Sequence, residues 1–296
     1  TETETEDDED GPVTGSPHVI FAGPFMEGGL FGTAGDDSMT GSRTDETIFS
    51  ALGDDRIQAG DGDDIVFSGS GNDTAAGGAG NDRIFTEDGN DMVFGGDGAD
   101  YIRSGSGNDE IWGDDGDDIV DAGAGRDVIF ATRNDGNDSY DGGDGIDTID
   151  YRAAQDNMVI DLGRGYAQSN DTGEDVLINV ENVIGGAGSD TIYANNAINI
   201  LNGGGGDDTF VFRTAASAKG DVIEGFQLGD KISLSAIFND NNGLNVGTGA
   251  TFNPGGQVLL VNQGDDTLVR GDTNGDGAAD FTITVKGAQV KADDIV

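Results

Sequence analysis

A nine-residue pattern, G-G-x-G-x-D-x-U-x with U apolar, repeats through much of this 296-residue chain. Clear copies are residues 77–85 (GGAGNDRIF), 95–103 (GGDGADYIR) and 142–150 (GGDGIDTID). From residue 32 to residue 130 the period never slips, so this stretch makes eleven consecutive units. A period this short and regular predicts a solenoid of stacked coils, because a single unit cannot bury a core alone.

Two positions of the unit hold its defining residues. The sixth position is acidic throughout the unbroken stretch, in the order Asp37, Glu46, Asp55, Asp64, Asp73, Asp82, Asp91, Asp100, Asp109, Asp118 and Asp127. The eighth position is apolar, in the order Met39, Ile48, Ile57, Val66, Ala75, Ile84, Val93, Ile102, Ile111, Val120 and Ile129. Two units follow an interruption at residues 131–132 and three more begin at residue 185, with sixth positions Asp138, Asp147, Asp190, Asn199 and Asp208.

The unit predicts its own geometry. The triplet around the eighth position is a minimal strand that points its apolar residue inward and both neighbours outward, while the glycines supply turns with φ > 0. Two strands and two turns make a coil, so each coil takes two units, and coils stack at about 4.8 Å. Acids two units apart then form two rows. The first is Asp37, Asp55, Asp73, Asp91, Asp109 and Asp127, extended by Asp147; the second is Glu46, Asp64, Asp82, Asp100 and Asp118, extended by Asp138.

Carboxylates stacked at this spacing repel one another unless cations lie between them. Oxygen-only ligands suit calcium, which takes 6–8 oxygens in adaptable geometry, whereas magnesium demands a stricter octahedron. Transition metals usually recruit His or Cys, and the chain has His18 alone. The predicted carboxylate ligands are Asp37, Asp55, Asp64, Asp73, Asp82, Asp91, Asp100, Asp109, Asp118, Asp127, Asp138, Asp147, Asp190 and Asp208. The predicted backbone ligands are the carbonyls of Gly62, Gly71, Gly80, Gly89, Gly98, Gly107, Gly116 and Gly125.

The composition narrows the possible functions. A net charge of -44 opposes compaction of the chain. It also argues against nucleic acid as a partner, because a protein binds phosphates through Lys and Arg. The periodicity of the acids argues against simple disorder. The absence of cysteine removes disulfides and thiol chemistry, so metal is the expected cross-link. The chain contains no run of about 18 apolar residues, so the sequence predicts no membrane-spanning helix. We therefore expect a chain that is unfolded without calcium and folded with it.

A second candidate site lies outside the repeats. Residues 272–280 read DTNGDGAAD, the start of an EF-hand loop, with candidate ligands Asp272, Asn274, Asp276 and Asp280. The twelfth position is Ile283 instead of Glu, and the flanking segments look like strands. A calcium loop and a plain Asp/Gly hairpin turn both remain open.

The ninth position predicts two aromatic ladders. Phe49, Phe67 and Phe85 recur at every second unit, and so do Phe94, Trp112 and Phe130. Such rings either cover the sheet by stacking between coils, or form a docking surface for another copy, a polysaccharide or a cell wall.

The repeats resemble those of the RTX, or haemolysin-type calcium-binding, family. Residues 221–234, 272–280 and 293–296 resemble the C-terminal domain of serralysin-type secreted proteins. The resemblance implies an all-β parallel roll and export by type I secretion machinery from a Gram-negative bacterium, with folding outside the cell on meeting calcium. That route matches the lack of a visible N-terminal signal. The serralysin H-E-x-x-H zinc helix is absent from residues 1–296.

These observations predict a division of the chain and a function. The predicted parts are residues 1–31 (acidic tail and cap), 32–150 (first β-roll block), 151–184 (strand-rich insertion), 185–211 (second block) and 212–296 (serralysin-like β domain). We expect a secreted, non-enzymatic calcium-binding module with a structural, folding or surface-interaction role. Two alternatives stay open: the C-terminal part of a larger secreted enzyme with its catalytic domain upstream of Thr1, and a surface-layer or adhesin subunit.

Overall fold

A computed structural model describes residues 18–21, 29–238, 244–249, 251–252 and 257–296. Most of the predicted tail and cap, residues 1–17 and 22–28, lies outside these ranges. The strands are β1 (His18–Phe21), β2 (Leu30–Phe31), β3 (Asp37–Thr40), β4 (Thr47–Phe49), β5 (Arg56–Asp61), β6 (Ile65–Phe67), β7 (Thr74–Ala79), β8 (Arg83–Phe85), β9 (Met92–Asp97), β10 (Tyr101–Ser106), β11 (Glu110–Asp115), β12 (Ile119–Gly125), β13 (Val128–Phe130), β14 (Ser139–Asp141), β15 (Asp144–Gly145), β16 (Thr148–Asp150), β17 (Val159–Asp161), β18 (Tyr166–Gln168), β19 (Glu174–Ile178), β20 (Asn182–Ile184), β21 (Thr191–Tyr193), β22 (Ile200–Asn202), β23 (Thr209–Val211), β24 (Val222–Glu224), β25 (Lys231–Ser233), β26 (Val246–Thr248), β27 (Val258–Gln263), β28 (Asp266–Gly271) and β29 (Phe281–Val285). Short 3-10 helices lie at Ala216–Ala218 and Ala292–Asp294.

These strands form a parallel solenoid with two faces. In the described ranges, sheet A has 15 strands in the order β1-β3-β5-β7-β9-β11-β13-β16-β20-β22-β24-β29-β28-β27-β26. Sheet B has 14 strands in the order β2-β4-β6-β8-β10-β12-β14-β19-β18-β17-β21-β23-β25, with β15 beside β12. Ile57 pairs with Ala75 and Ala75 pairs with Val93, which is the predicted register of two units per coil. The predicted all-β roll is therefore confirmed.

The core is a column of side chains from the eighth position. Each of these residues from Met39 to Ile129 is at most 1% exposed. Because each short strand contributes one inward residue, the column is narrow and the molecule buries few large side chains per coil. Because this core is thin, it buries little apolar area per coil. Contacts in the turns, where the acids lie, must therefore contribute much of the stability.

The interruption at residues 131–132 lengthens one coil without breaking the solenoid. On both sheets the register shifts by the length of that insertion: Ile119 pairs with Ser139, and Val128 with Thr148. The extra length is taken up in a turn where Asn134 has φ 60° and the Thr132 N–H donates to Asp135 at 2.5 Å.

Residues 151–184 insert an antiparallel meander into sheet B. The strands expected near residues 158–162 and 176–180 are β17 and β19, and β18, which the pattern did not predict, pairs antiparallel with both. Parallel stacking then continues, because β19 pairs with β14 and β17 with β21. The meander therefore lengthens sheet B between β14 and β21 without ending the roll.

The last part of the chain completes both sheets. The two strands expected between residues 221 and 234 are β24 and β25, and they belong to different sheets, so they continue the coil and do not form a hairpin. The strands expected around residues 272–280 are β28 and β29, which form an antiparallel pair extended by β27. The Leu234 N–H donates to the Val296 carbonyl at 2.8 Å, so the final residues pair along β25.

One ion pair fastens the inserted meander to the second block. Arg213 Nη1 and Nη2 donate to Asp161 Oδ1 and Oδ2, each at 2.7 Å. The Asp161 side chain is fully buried, and the guanidinium lies 3.9 Å from the centroid of the Tyr193 ring. This pair holds β17 against the segment after β23 with no metal required.

Arg213→Met should destabilise the calcium-loaded protein by roughly 3 kcal/mol, because it leaves a buried carboxylate without its partner. This loss of stability should lie at the lower end of the range measured for breaking a buried ion pair. Arg213 is partly exposed, and Arg164 also lies 3.8 Å from Asp161. Urea unfolding in saturating calcium measures it. The matched control is Arg43→Met, which breaks an exposed pair with Asp61 and should cost under about 1 kcal/mol. Equal losses in both variants would contradict this role for Arg213.

Candidate metal centre

The sixth-position carboxylates form two continuous ladders along the edges of the roll. The Asp64 N–H donates to Asp82 Oδ1 at 2.7 Å, and the Asp82 N–H donates to Asp100 Oδ1 at 2.7 Å. The other row repeats this contact at 2.8 Å between Asp37, Asp55, Asp73, Asp91, Asp109 and Asp127. One carboxylate oxygen of each residue is thus used to align the coil that precedes it.

The rows continue across the lengthened coil as the register predicts. The Asp118 N–H donates to Asp138 Oδ1 at 2.8 Å, and the Asp127 N–H donates to Asp147 Oδ1 at 2.9 Å. Beyond the interruption, Asp190 and Asp208 form a further step, with the Asp190 N–H 2.8 Å from Asp208 Oδ1. Asp190 itself accepts the Met158 N–H at 2.8 Å, so the second block joins the insertion by the same contact.

The second oxygen of most of these carboxylates is buried and has no hydrogen-bond partner. Among the described residues this holds for Oδ2 of Asp55, Asp64, Asp73, Asp82, Asp91, Asp100, Asp109, Asp118, Asp127, Asp147 and Asp208. A buried charged oxygen without a partner costs several kcal/mol. A line of such oxygens at regular intervals fits a binding edge for cations, and calcium, a hard ion that prefers oxygen ligands, matches this donor set.

The first glycine of the unit keeps space open beside this oxygen. A Cβ on Gly77 would lie 2.3 Å from Asp82 Oδ2, and one on Gly95 would lie 2.4 Å from Asp100 Oδ2. The predicted ligand glycines permit a second close approach, because a Cβ on Gly80 would lie 2.1 Å from the Gly62 carbonyl oxygen. Gly80 also has φ 135°. The turns thus bring carbonyl oxygens of consecutive coils near the carboxylates, which only glycine allows.

The electrostatics of the rows favour the binding of cations. Burial, together with the neighbouring carboxylates of Asp82 and Glu46, raises the pKa of Asp64 to about 7. Burial and like charges raise the pKa of Asp91, Asp100, Asp118 and Asp127 to about 7 in the same way. Burial raises the pKa of Asp55 and Asp147 to about 6. Each raised pKa expresses the cost of a buried negative charge, to which the neighbouring carboxylates of the row add.

An outer ladder, formed by the residue before each acid, runs in the opposite direction. The Asn90 N–H donates to Asn72 Oδ1 at 2.9 Å, and the Asn108 N–H donates to Asn90 Oδ1 at 2.7 Å. These asparagine side chains are exposed and neutral, so they align the turns without adding buried charge. They do nothing to neutralise the carboxylates beside them.

Three of the predicted carboxylate ligands differ from the rest. Asp37 Oδ2 accepts the Thr33 N–H at 2.5 Å, Asp138 Oδ2 accepts the Tyr140 hydroxyl at 2.7 Å, and Asp190 Oδ2 accepts the Gly186 N–H at 2.9 Å. These three lie at or next to the ends of the repeat blocks, where a protein donor takes up the second oxygen.

The loop at residues 272–280 is internally hydrogen-bonded. Asp272 accepts the N–H groups of Gly275 and Gly277 at 2.7 and 2.8 Å, and Asp280 accepts the Thr273 N–H at 2.7 Å. Asn274 and Asp276 likewise accept backbone N–H groups at 2.8 Å. The loop therefore has the contacts of a compact turn between β28 and β29, and calcium binding by it stays a prediction.

Sequence reasoning missed further acids of the same kind. Asp175 and Asp230 accept the N–H groups of Asp138 and Asp208 at 3.2 and 2.9 Å, so both belong to the ladders. Asp221 accepts the Asn199 N–H at 3.0 Å and leaves a buried Oδ2 without a hydrogen bond. The signal was present, because all of these acids keep the D-x-U spacing although two or more of the three unit glycines are missing, as in Asp221 and Ile223.

Within the described residues, no group of three or more His, Cys, Asp and Glu side chains gathers around one point. This is consistent with the rows, in which carboxylates follow one another along the axis and do not cluster around a point. The prediction that turn carbonyls supply further calcium ligands stays a prediction.

Asp82→Asn should weaken calcium binding beside Asp64 and Asp100 and leave the other row nearly unaffected, because it removes the charge while keeping an Oδ1 acceptor. At limiting calcium, hydrogen exchange should accelerate at the Asp64 and Asp100 amides more than at those of Asp73 and Asp91. Glu110→Gln, at an exposed outward position of β11, serves as the control and should change neither pair. Equal acceleration in both rows would refute the two-row arrangement.

Comparison with known families identifies both parts of the chain. The RTX calcium-binding nonapeptide repeat matches in 4 copies, at residues 30–57, 40–75, 67–102 and 94–129. The peptidase M10 serralysin C-terminal family matches residues 138–296, more than half of the chain. No curated protein matches closely enough to count as a relative.

Two solved structures show a weaker likeness. The extracellular lipase LipA from Serratia marcescens is 16% identical with a TM-score of 0.22; the match covers 92% of this chain but only 40% of the lipase. The solution structure of the AlgE6R3 subunit from the Azotobacter vinelandii mannuronan C5-epimerase is 18% identical with a TM-score of 0.17, covering 93% of this chain and 86% of that one. Neither TM-score supports an inference about activity or ligand. The family matches show that the chain belongs to the peptidase M10 serralysin C-terminal family and carries RTX calcium-binding nonapeptide repeats ahead of that domain.

Proposed function

We propose that this chain is an exported calcium-binding β-roll whose rows of aspartates require calcium for stable folding. The observation that carries the proposal is the regular series of buried, unpartnered Oδ2 atoms. Bound calcium would supply positive charge between successive carboxylates. The chain supplies the rest: Oδ1 aligns the coils, the glycines leave room, and the inward column of aliphatic side chains closes the core.

The family matches support the location. RTX repeats and a serralysin-type C-terminal domain indicate a secreted protein of a Gram-negative bacterium, and they suggest type I secretion machinery as a partner. No helix in the described ranges is long and apolar enough to cross a membrane. In this proposal the acids repel one another where calcium is scarce, which keeps the chain extended for export. Calcium outside the cell then drives the roll to form.

Equilibrium dialysis tests the proposal directly. The chain should bind several calcium ions at about millimolar free calcium, the range of extracellular calcium modules. A tenfold excess of magnesium should displace few of them, since the rows offer no strict octahedron. Binding of no calcium, or full displacement by magnesium, would overturn the proposal.

Two other roles follow from particular observations. The serralysin C-terminal match favours a chain that serves as the calcium-binding and secretion part of a larger secreted enzyme, either a protease or a polysaccharide-modifying enzyme. The coding sequence upstream of Thr1 decides this.

The partly exposed ring ladders favour a surface-layer or adhesin subunit, for which light scattering should show calcium-dependent polymers. A monodisperse monomer in excess calcium would exclude this role.

A further inference from the structure

A groove opens on the outer face of sheet B at the end of a ladder of aromatic rings, which form one of its walls. Phe31, Phe49, Phe67 and Phe85 stack in succession, with centroid separations of 5.4, 5.0 and 5.0 Å and nearly parallel planes. Each inner ring has both faces covered by its neighbours, so the ring edges form the wall. The predicted ladder is thus longer by one ring than the repeat pattern indicated.

The opposite wall is a column of turn residues. Leu52, Ser70, Asp88 and Ser106 follow one another in consecutive coils, joined by parallel bridges. Where the ring ladder ends, a cleft of about 400 Å³ opens between the two walls, lined by Phe67, Phe85, Glu87, Asp88, Arg103 and Ser106. The cleft is half open to solvent, and its lining combines aromatic surface with a few polar groups that could orient a ligand.

The cleft has features that the calcium rows do not explain. Glu87 occupies the second position of its unit, where the adjacent coils have Gly69 and Gly105, and its φ is 67°. A long side chain in the left-handed region is a cost that the repeat does not require. Glu87 is followed directly by Asp88, whose Oδ1 accepts the Ser106 hydroxyl at 2.6 Å, and neither acid belongs to a buried row.

The geometry points to a binding site for a linear, uncharged glycan along this groove. Glu87 and Asp88 only accept hydrogen bonds and Arg103 only donates them, so a ligand must offer both, as sugar hydroxyls do. Asp121 lies 3.4 Å from Arg103 and balances its charge, which leaves the cleft acidic and unsuited to uronic acids. The ring edges would add only apolar van der Waals contact, because the ring faces are covered. The wall repeats at 5.0 Å, close to the advance of one sugar unit.

This inference deepens the surface-interaction role proposed above and rests on the folded roll. The second ladder, Phe94, Trp112 and Phe130, stacks at 4.7 and 4.2 Å on sheet A and provides an internal control. It too is followed by a strained acid, Asp114, with φ 69°. Its ninth-position line contains no arginine, whereas Arg103 continues the line of Phe85 on sheet B. Rings and an acid are therefore present on both faces, while the combination of acceptors with a donor belongs to the sheet B groove.

Affinity electrophoresis in calcium, through gels containing hydroxyethyl cellulose, tests the site. The wild-type chain should be retarded, and Phe85→Ala and Glu87→Gly should each weaken binding at least tenfold. Trp112→Ala should bind as wild type. Because Gly adopts φ 67° without strain, Glu87→Gly should melt at a temperature no lower than wild type, so its loss of binding cannot be ascribed to misfolding.

Several results would overturn the inference. These are no retardation by hydroxyethyl cellulose, equal binding by Glu87→Gly and wild type, or an equal loss in Trp112→Ala. Retardation by alginate alone, or by a polylysine peptide alone in a Glu87-dependent manner, would assign the groove to an acidic glycan or a basic peptide instead. Circular dichroism of the same samples separates the two proposals, because a chain that folds with calcium yet binds no glycan contradicts only this one.

Discussion

Removing calcium should abolish most of the strand signal in circular dichroism, and adding calcium to millimolar levels should restore it. Without the ion, the buried Oδ2 atoms of both rows have no compensating charge. If each site binds at about 0.1 mM, about 1 mM calcium contributes roughly 1.4 kcal/mol per site by mass action. An ordinary domain is stable by roughly 5–15 kcal/mol. A few calcium sites would contribute a sizeable part of such a free energy, and about ten would decide whether the chain folds.

The calcium titration has a clear control and a clear contrary result. Magnesium at the same concentration should restore little of the signal, because its coordination is stricter. The transition should also be cooperative, since each inner Asp contacts the coils on both sides of it. A strand signal already complete in chelator would show that the rows tolerate their own charge and that the folding switch does not exist.

Acid should partly replace calcium. In the calcium-free roll the pKa of Asp64, Asp91, Asp100, Asp118 and Asp127 is raised to about 7, mainly by burial, whereas an unfolded Asp titrates near 3.9. A raised pKa in the folded state means that protons bind the folded chain more tightly. The resulting stabilisation is complete below about pH 4 and is lost as the pH rises through about 7.

In chelator, the chain should therefore show more strand signal at pH 5 than at pH 8. Sedimentation velocity at both values distinguishes a compact monomer from aggregates. With calcium present the dependence should reverse, because protons compete for the same oxygens and lower the apparent affinity. An apo chain that is equally unfolded at pH 5 and pH 8 would contradict the role given to carboxylate repulsion.

The periodicity predicted the regular part of the fold well because every coil has the same arrangement of strands, turns and inward side chains. The register of two units per coil, the inward eighth position and the two rows all follow from a strand period of two and glycine at fixed turns. The lengthened coil was also within reach, since two added residues can only be taken up in a turn. Asp138 and Asp147 therefore keep their places in the rows.

The remainder depends on contacts that no local pattern encodes. Strand β18 has the sequence Tyr-Ala-Gln and forms because β17 and β19 flank it. The pairing of Asp161 with Arg213, far along the chain, could not be read from spacing. Asp221 escaped prediction because its unit has lost the glycines, although its D-x-U spacing was intact. The groove at Glu87 depends on a residue that departs from the repeat pattern. A prediction based on the period alone disregards such a residue.

The most direct test of calcium ligation by the rows is a crystal structure of the calcium-loaded chain with an anomalous difference map. We expect peaks along both edges of the roll, each beside the second carboxylate oxygen of an aspartate such as Asp82 or Asp91 and within ligand distance of turn carbonyls. Intact coils with only water beside those oxygens would contradict the central claim.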